Sequence, residues 1–450
     1  MAVRSPAPST SNHGRRQEPD ARLLRGLRRG DLVALVINSV VGAGIFGLPS
    51  QVYALAGTYS LAAYGVAAVA IGLVVLCFAE VGSRFGATGG PYLYTRVAFG
   101  PLIGFQVGWL MWIARIAGFA SLTNLFVTYL AFFVPGADSG GWRAAVIVLV
   151  VSAVSIVNIA GIRTSATITN VLTAGKLIPL LLLAAIGVFF VDPRRYSIAV
   201  APSYGSFSQA ALLLVFAYMG FEGAVIPTGE MQDPRRDVPF SLLAGMGVVA
   251  VLYVAVQAVC IGTLPDLAHA ERPLSDAALR MFGRAGEWLV AAAALVSIGG
   301  ILNAIVFATP RLLFAMAENG ELPPILSRTH ARFRTPVAAI VVTTTVAGLV
   351  ALFSTFISAL TISTIVRLVA YMATCAALPA MRRRADVPRP SFSIPAGWLV
   401  SAGAIALGVW LVSNSPWSEV RLAGVFVLVG VALYFACTRG RRGASPVAAC

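Results

Sequence analysis

Long apolar stretches alternate with short polar segments along the chain after residue 30. A helix needs about 20 mainly apolar residues to cross the hydrocarbon core of a bilayer. Open sheet edges are not viable in lipid, and these stretches lack the two-residue alternation of membrane β-barrel strands. The pattern therefore predicts an all-α polytopic membrane protein with twelve transmembrane helices, near residues 31–54, 59–82, 101–133, 142–161, 167–191, 207–228, 241–263, 287–317, 336–354, 357–379, 397–413 and 420–437.

The composition agrees with a chain that has lipid as its solvent. Hydrophobic residues make up 58% of the 450 residues and charged residues only 11%, against roughly 25% charged residues in a soluble domain. The formal charge of +15 is also seen in nucleic-acid-binding proteins, but here the basic residues form short clusters between apolar stretches. We therefore expect the lipid bilayer as a partner, and no nucleic acid.

The distribution of lysine and arginine among the loops predicts the orientation. With the N-terminus inside, 23 of the 33 basic residues lie on the cytoplasmic side, if Arg311 near the end of span 8 is counted there, and seven lie on the other, while Arg115, Lys176 and Arg367 lie within spans. Residues 1–30 have no apolar core, so we expect a disordered basic cytoplasmic tail rather than a signal peptide. Both termini, including a C-terminal tail at 438–450, are expected in the cytoplasm, with the protein in the inner (plasma) membrane.

Two predicted spans contain segments that disfavour a continuous helix. Span 1 includes GAGIFGLP at 42–49, and span 6 includes FAYMGFEG at 216–223, followed by Pro227. Inside a helix, glycine costs about 1 kcal/mol and proline about 3 kcal/mol relative to alanine. Paired interruptions of this kind indicate a transporter's binding site. The alternative is that the glycines only permit close packing of helices.

The two breaks are five spans apart, which predicts an inverted repeat of spans 1–5 and 6–10. We therefore predict a transporter domain at 31–437, with a first repeat at 31–191, a second repeat at 207–379, and two further C-terminal helices at 397–437. At such breaks, free N–H groups of a helix N-terminus attract a carboxylate, and free carbonyl groups attract an ammonium. The pair of breaks therefore suits a zwitterion.

Four segments resemble the amino acid–polyamine–organocation superfamily of secondary transporters. Besides the two breaks, EVGSRFGATGGPYLY at 80–94 resembles the family's first cytoplasmic loop, and RLLFAMAENGELP at 311–323 resembles the end of its span 8. The resemblance covers most of the chain. It implies two inverted five-helix repeats with two extra helices, and alternating access for amino acids or related amines without a cofactor.

The resemblance also implies a set of substrate-binding residues. The substrate carboxylate would meet backbone N–H groups at Ala43, Gly44 and Ile45, and its amine would meet carbonyl groups of both breaks. Phe216 stands at the position of the family's aromatic gate. Asn303 in span 8 is a further hydrogen-bonding candidate, with ordinary interhelical bonding as the alternative. The predicted substrate-binding residues are Val40, Val41, Ala43, Gly44, Ile45, Phe216, Ala217, Tyr218, Gly220 and Asn303.

Charged residues inside the spans are functional candidates, because a central charge costs about 2.5–3.5 kcal/mol on insertion scales. Lys176 lies in NVLTAGKLIPL of span 5, which resembles the segment where proton-coupled family members carry a lysine at the place of a sodium ion. Glu222 stands at the position of a family glutamate proposed to sense protons. We expect Lys176 to be the proton-responsive group and Glu222 to be the second candidate. The alternatives are a structural role for Lys176, as a partner to carbonyl groups or to Glu222, and a static ion pair for Glu222.

Arg115 in span 3 and Arg367 in span 10 lie too far from their helix ends to reach water easily. Three roles are open to them: pairing with Glu222, gating the pathway, or binding an acidic substrate. We favour pairing or gating.

Enzyme signatures are missing from the sequence. His13, His269 and His330 all lie outside the spans, no HExxH or GxSxG motif occurs, and the five cysteines lack metal-ligand spacing. We therefore predict no catalytic residues, no metal and no cofactor. The predicted function is secondary active, proton-coupled uptake of amino acids, and the alternatives are an amino acid/polyamine exchanger and a non-transporting membrane sensor.

Overall fold

The structure, a computed structural model, describes residues 29–85, 90–160, 166–197, 200–223, 225, 233–330 and 335–438. Regular secondary structure in these ranges is entirely helical. The predicted tails therefore lie almost wholly outside the described residues. The α-helices are α1 (Arg29–Val40), α2 (Ala43–Ala56), α3 (Ser60–Gly82), α4 (Gly90–Phe99), α5 (Pro101–Leu130), α6 (Gly140–Ile159), α7 (Ala166–Gly187), α8 (Tyr204–Ala217), α9 (Pro234–Thr263), α10 (Pro273–Glu318, kinked at Gly283), α11 (Val337–Phe353), α12 (Phe356–Arg382), α13 (Gly397–Ser413) and α14 (Trp417–Thr438).

Within the described ranges, eight helical segments are long and apolar enough to cross a membrane. Three shorter apolar helices accompany them, at Gly175–Phe190, Val337–Phe353 and Gly397–Ser413. The prediction of a polytopic helical membrane protein is confirmed, whereas the arrangement of twelve spans in two inverted repeats stays a prediction. The eight segments are Gly44–Gly82, Pro101–Leu130, Gly140–Ile159, Tyr204–Gly223, Arg235–Thr263, Pro273–Glu318, Phe356–Arg382 and Trp417–Thr438.

Helix α5 forms the centre of the bundle, since nearly all of its side chains are buried and it packs against α4, α10, α11 and α12. Helices α6 and α14 lie at the periphery, where nearly all of their residues are exposed or half-buried. Their outward side chains include large apolar ones, such as Leu149, Ile156 and Leu428. An apolar outer surface of this extent fits a bundle whose solvent is lipid.

Both predicted helix breaks are present in the structure. Helix α1 ends at Val40 and α2 begins at Ala43, so the first predicted span consists of two helices. Helix α8 ends at Ala217, and a 3-10 turn follows at Phe221–Gly223. Pro227 lies outside the described residues. Helices α2 and α8 pack against each other, which brings the two breaks together.

Glycines at the two breaks let the backbones touch. A Cβ atom on Gly44 would lie 2.5 Å from the Cα atom of Ala217. Gly220 has a φ of 114°, and a Cβ atom there would lie 2.3 Å from the carbonyl oxygen of Ser39. Only glycine fits Gly220 without strain, because positive φ and a backbone clash both exclude a side chain.

We expect Gly220→Ala to lower the free energy of unfolding by roughly 1–3 kcal/mol, through strained φ and separation of the breaks. The measurement is thermal unfolding of the purified protein in detergent. Gly247→Ala is the matched control, because a Cβ atom on Gly247 meets nothing within 4 Å and alanine is the better helix former. Equal unfolding temperatures for the two variants would contradict close contact at Gly220.

Candidate functional site

Tyr253 on α9 connects the two helix breaks. Its hydroxyl oxygen lies 3.0 Å from the carbonyl oxygen of Val40 and 3.1 Å from that of Ala217, and its side chain is fully buried. Val40 and Ala217 are the last residues of α1 and α8, so their carbonyl groups lack a partner within the helix. A hydroxyl has one proton to donate, so Tyr253 bonds one carbonyl at a time and holds both helix ends close.

Lys176 on α7 lies at the first break, where it is buried. Its Nζ atom donates hydrogen bonds to the carbonyl oxygens of Asn38, at 2.6 Å, and Val41, at 3.0 Å. These carbonyl groups belong to the C-terminal end of α1, whose dipole favours a positive charge. Lys176 therefore holds the end of α1 through both hydrogen bonds and charge.

The N-terminus of α2 faces the same region. Gly42 is its N-cap residue, and no side chain caps the helix there. The first N–H groups of such a helix form a favourable position for an anion. Gly44, in the first turn, touches Ala217 at the end of α8, so this N-terminus and the C-terminus of α8 form one compact site. The side chain of Ala43 lies outside the described residues.

The aromatic residues predicted at the second break point to different neighbours. Phe216 is nearly buried, with its Cε2 atom 4.0 Å from where a Cβ atom on Gly118 would lie, so its ring faces α5. Tyr218 is fully buried, and its ring centre lies 5.3 Å from that of Tyr253. Its hydroxyl group donates a weak hydrogen bond to the carbonyl oxygen of Tyr64, at 3.4 Å. Phe216 thus packs towards α5, whereas Tyr218 packs towards α9 and α3.

Asn303 on α10 has a partner away from the breaks. Its Oδ1 atom accepts a hydrogen bond of 2.8 Å from Nδ2 of Asn158 on α6. The structure therefore shows the interhelical bond that the sequence left as the alternative for this residue.

Glu222, just after the second break, lies among two arginines and a tyrosine. Its Oε1 atom is 3.8 Å from Nη2 of Arg115 and 3.5 Å from Nη1 of Arg367. Its Oε2 atom accepts hydrogen bonds from the hydroxyl group of Tyr371, at 2.6 Å, and from the N–H of Gly220, at 3.0 Å. The carboxylate of Glu222 therefore joins the second break to α5 and α12, and both arginines pair with it.

The described part of this cluster contains two positive charges and one negative charge. Glu222 is 1% exposed, and Arg115 and Arg367 are each 7% exposed. The Nε atoms of both arginines lack a hydrogen-bond partner among the described residues. An ion buried without a partner costs several kcal/mol. The cavity beside the cluster has a volume of about 10 Å³ and is lined by Pro91, Tyr92, Gly108, Met111, Arg115, Glu222 and Leu312.

Glu80 is the centre of an ion-pair network where α3 and α12 end. Its buried carboxylate accepts hydrogen bonds from Nε of Arg382, at 2.7 Å, and from the N–H of Ile394, at 2.9 Å. Nη2 of Arg84 lies 3.4 Å from Oε1 of the same carboxylate. The network holds α3, α12 and the segment that follows α12 together.

Glu321, after α10, forms a second network near that end of the bundle. Its carboxylate pairs with Arg96 and accepts a hydrogen bond of 2.9 Å from the hydroxyl group of Tyr92 on α4. Burial raises the pKa of the Glu321 carboxyl, and Arg96 and Tyr92 offset part of that shift. Together the two networks connect α3, α4, α10 and α12.

Tyr253 and Tyr371 are functional candidates that the sequence interpretation missed. Tyr371 lies four residues after Arg367, and this spacing places both on one face of α12. Tyr253 is a hydroxyl-bearing residue in the middle of an apolar span, where a polar group needs a partner. The spacing indicated that Tyr371 lies beside Arg367, but the carbonyl partners of Tyr253 follow only from the crossing of α1, α8 and α9.

Comparison with known proteins gives a family match along most of the chain. The model of the family described as Amino acid permease matches residues 29–436. The methylthioribose transporter of Bacillus subtilis is 27% identical over an alignment of 449 positions, which covers 94% of this chain and 95% of the relative. The serine/threonine exchanger SteT of Bacillus subtilis is 29% identical over 89% of this chain and 93% of its own. The branched-chain amino acid permease BcaP of Bacillus subtilis is 26% identical over 93% and 94%, respectively.

We expect Tyr253→Phe to lower the free energy of unfolding by about 1–3 kcal/mol, because it removes the one donor that two buried carbonyl groups share. Tyr196→Phe is the matched control, since its hydroxyl group bonds the carbonyl oxygen of Ala258 at 2.7 Å, inside α9. That carbonyl keeps its helical partner, so the control should lose only about 0.5–1.5 kcal/mol. Thermal unfolding in detergent measures both, and an equal loss in the two variants would contradict the bridging role.

Proposed function

The chain belongs to the amino acid permease family of the amino acid–polyamine–organocation superfamily, and we propose that it takes up amino acids by proton-coupled alternating access. It is an integral membrane transporter rather than an enzyme. The observation that carries the proposal is the pair of hydrogen bonds from Lys176 to the end of α1, at the first break. A titratable group that directly holds a broken helix can connect proton binding to the shape of the substrate site.

We propose twelve spans in the order that the sequence predicts, with α1 and α2 forming span 1 and α8 opening span 6. Matched helix contacts support an inverted repeat. Helix α1 packs on α9 as α8 packs on α3, and α5 packs on α12 as α10 packs on α7. In span numbers, the contact of spans 1 and 7 corresponds to that of spans 6 and 2, and the contact of spans 3 and 10 to that of spans 8 and 5. Corresponding spans are thus five apart in every case. The orientation with both termini in the cytoplasm rests on the loop charges.

The proposed substrate position lies between the helix ends at the two breaks. The substrate carboxylate would accept hydrogen bonds from the uncapped N-terminus of α2, around Gly44 and Ile45. Its amine would approach the carbonyl groups of Val40 and Ala217. In this structure Tyr253 contacts these two carbonyl groups, and Gly44 touches Ala217. Substrate entry therefore requires the breaks to separate and Tyr253 to release at least one of them.

Lys176 is the proposed coupling group. Its protonated amine donates two hydrogen bonds to α1 and carries a charge that the helix dipole attracts. Loss of the proton removes that charge, weakens the hold on α1, and makes it easier for the first break to change shape. Glu222 is the second candidate, because its carboxylate accepts a hydrogen bond from Gly220 in the second break.

We propose that the networks around Glu80 and Glu321 close the cytoplasmic side. They connect the ends of α3, α4, α10 and α12 through ion pairs. Outward and inward states of a transporter differ in the contacts at the two ends of the bundle. Breaking these pairs would open a path from the breaks to the cytoplasm.

Exchange of one amino acid for another is the second candidate mechanism. It is favoured by the similarity to SteT, which is named as a serine/threonine exchanger. An exchanger would use the same two breaks, but it would change between its outward and inward states only with an amino acid bound. Lys176 would then hold α1 without an exchange of protons.

We expect Lys176→Met to abolish proton-driven uptake, because the variant cannot carry the proton or bond to α1. Lys176→Arg keeps a charge and hydrogen-bond donors but does not release its proton in proteins, so it should also lose the dependence on a pH gradient. The measurement is uptake of labelled amino acids and amines into proteoliposomes with an imposed pH gradient. Full gradient-driven uptake by Lys176→Met would refute the coupling role.

Vesicle loading separates symport from exchange. For a proton symporter, an inward proton gradient should drive uptake into empty vesicles, and unlabelled amino acid inside should not be required. Uptake that occurs only into loaded vesicles, regardless of the pH gradient, would establish the exchanger instead. Absence of flux under all these conditions in folded protein would favour the non-transporting sensor.

A further inference from the structure

Three groups from different helices meet around Gly118 on α5. A Cβ atom there would lie 3.3 Å from Oγ of Ser363, 3.8 Å from Nη2 of Arg367 and 4.0 Å from Cε2 of Phe216. Phe216 belongs to the second break, at the proposed substrate position. One turn before Gly118, Arg115 lines the small cavity that also reaches Glu222. The arginine pair is therefore next to the proposed substrate position.

The two arginines are not matched by an equal negative charge among the described residues. Oε1 of Glu222 faces both guanidinium groups at 3.5 and 3.8 Å, beyond direct hydrogen-bond distance. Its other oxygen is occupied by Tyr371 and Gly220. Both arginine Nε atoms are buried and without a hydrogen-bond partner. The pair thus has hydrogen-bond donors and positive charge that Glu222 does not use.

A purely structural role explains this arrangement poorly. One arginine is enough to neutralise Glu222, and burying a second unmatched charge in a membrane protein is costly. Guanidinium groups present several N–H donors in a planar fork that matches a carboxylate. Two guanidinium groups that face one carboxylate oxygen have the composition of an anion-binding site. The Glu222 carboxylate, an anion tethered to the chain, occupies that site in this structure.

We propose that Arg115 and Arg367 form a subsite for an anionic group, with the side-chain carboxylate of an acidic amino acid as its occupant during transport. This inference rests on the proposed function and narrows its substrate class. In the structure, Oε1 of Glu222 takes the position of that anion, and the bound anion displaces it from the guanidinium groups. A small inorganic anion such as chloride shares this chemistry as a co-substrate.

Uptake into proteoliposomes tests the two sources of the anion separately. If the occupant is a side-chain carboxylate, kcat/KM for glutamate or aspartate exceeds that for glutamine or asparagine by at least about tenfold in the wild type. Arg115→Gln and Arg367→Gln each reduce this ratio by at least about tenfold. If the occupant is an inorganic anion, replacing chloride with a bulky organic sulfonate lowers uptake of a neutral amino acid in the wild type. In both variants, uptake no longer depends on chloride. Arg421→Gln, at an exposed position on α14, is the matched control and keeps the wild-type pattern.

Ligand-induced thermal stabilisation gives a readout that does not need transport. A ligand that binds the folded state raises its melting temperature. Glutamate, aspartate or chloride should raise the melting temperature of the wild type and not that of Arg115→Gln or Arg367→Gln. Glu222→Gln removes the tethered anion, so the same anion should stabilise this variant at lower concentration than the wild type. A structural ion pair predicts no such gain.

The outcomes separate this inference from the proposed function. Transport of neutral amino acids with no arginine-dependent effect of glutamate, aspartate or chloride overturns the subsite and leaves the transporter. Arginine-dependent stabilisation by an anion without any flux supports the subsite and overturns the transport proposal. If Glu222→Gln is folded and binds no anion more tightly than the wild type, the tethered-anion interpretation is overturned.

Discussion

The requirement that every buried backbone group find a partner governs this structure. In lipid, a helix that stops at membrane depth leaves carbonyl and N–H groups that water cannot satisfy. Helices α1 and α8 both end at buried residues inside the bundle. One hydroxyl group and one amine from other helices contact the carbonyl groups at these ends. Tyr253 contacts the carbonyl groups of Val40 and Ala217, and Lys176 binds those of Asn38 and Val41. Both contacts come from neighbouring helices, so α7 and α9 are tied to the shape of the breaks.

The same requirement would connect the proposed binding site with Lys176, the proposed coupling group. A substrate zwitterion offers the break the same chemistry as its present partners, an ammonium for the carbonyl groups and a carboxylate for the N–H groups. Replacing Tyr253 by the proposed substrate would therefore exchange hydrogen bonds rather than lose them, which would keep the cost of opening low. The second break has a separate electrostatic partner in Glu222, whose carboxylate faces an excess of positive charge. The proposed selection of substrate by charge would thus lie there, apart from the backbone contacts.

Much of the fold was predictable because it depends on local patterns. Apolar stretches of span length predicted the helices, and the glycines at 42–49 and 216–223 predicted where two of them stop. The spacing between the breaks indicated that they belong together, and the contact of α2 with α8 agrees with that. The contacts of Lys176 and the pairing of both arginines with Glu222 were each among the stated possibilities. The bond between Asn303 and Asn158 was the alternative rather than the preferred role.

The sequence by itself determined that the chain lies in a membrane, that its spans are helical, and that two of them are interrupted, since these properties follow from hydropathy and from the backbone cost of glycine and proline. Only the tertiary structure decided which groups complete the breaks. Tyr253 lies 213 residues from Val40 and 36 from Ala217 along the chain, so only helix packing brings its hydroxyl group to both, and no periodicity encodes that approach. The closeness of Gly44 to Ala217, and of Gly220 to Ser39, likewise depends on how two helices cross. The sequence showed four separate charged residues within the spans. The tertiary structure places Lys176 at the end of α1 and groups Arg115, Arg367 and Glu222 in one cluster with an excess of positive charge.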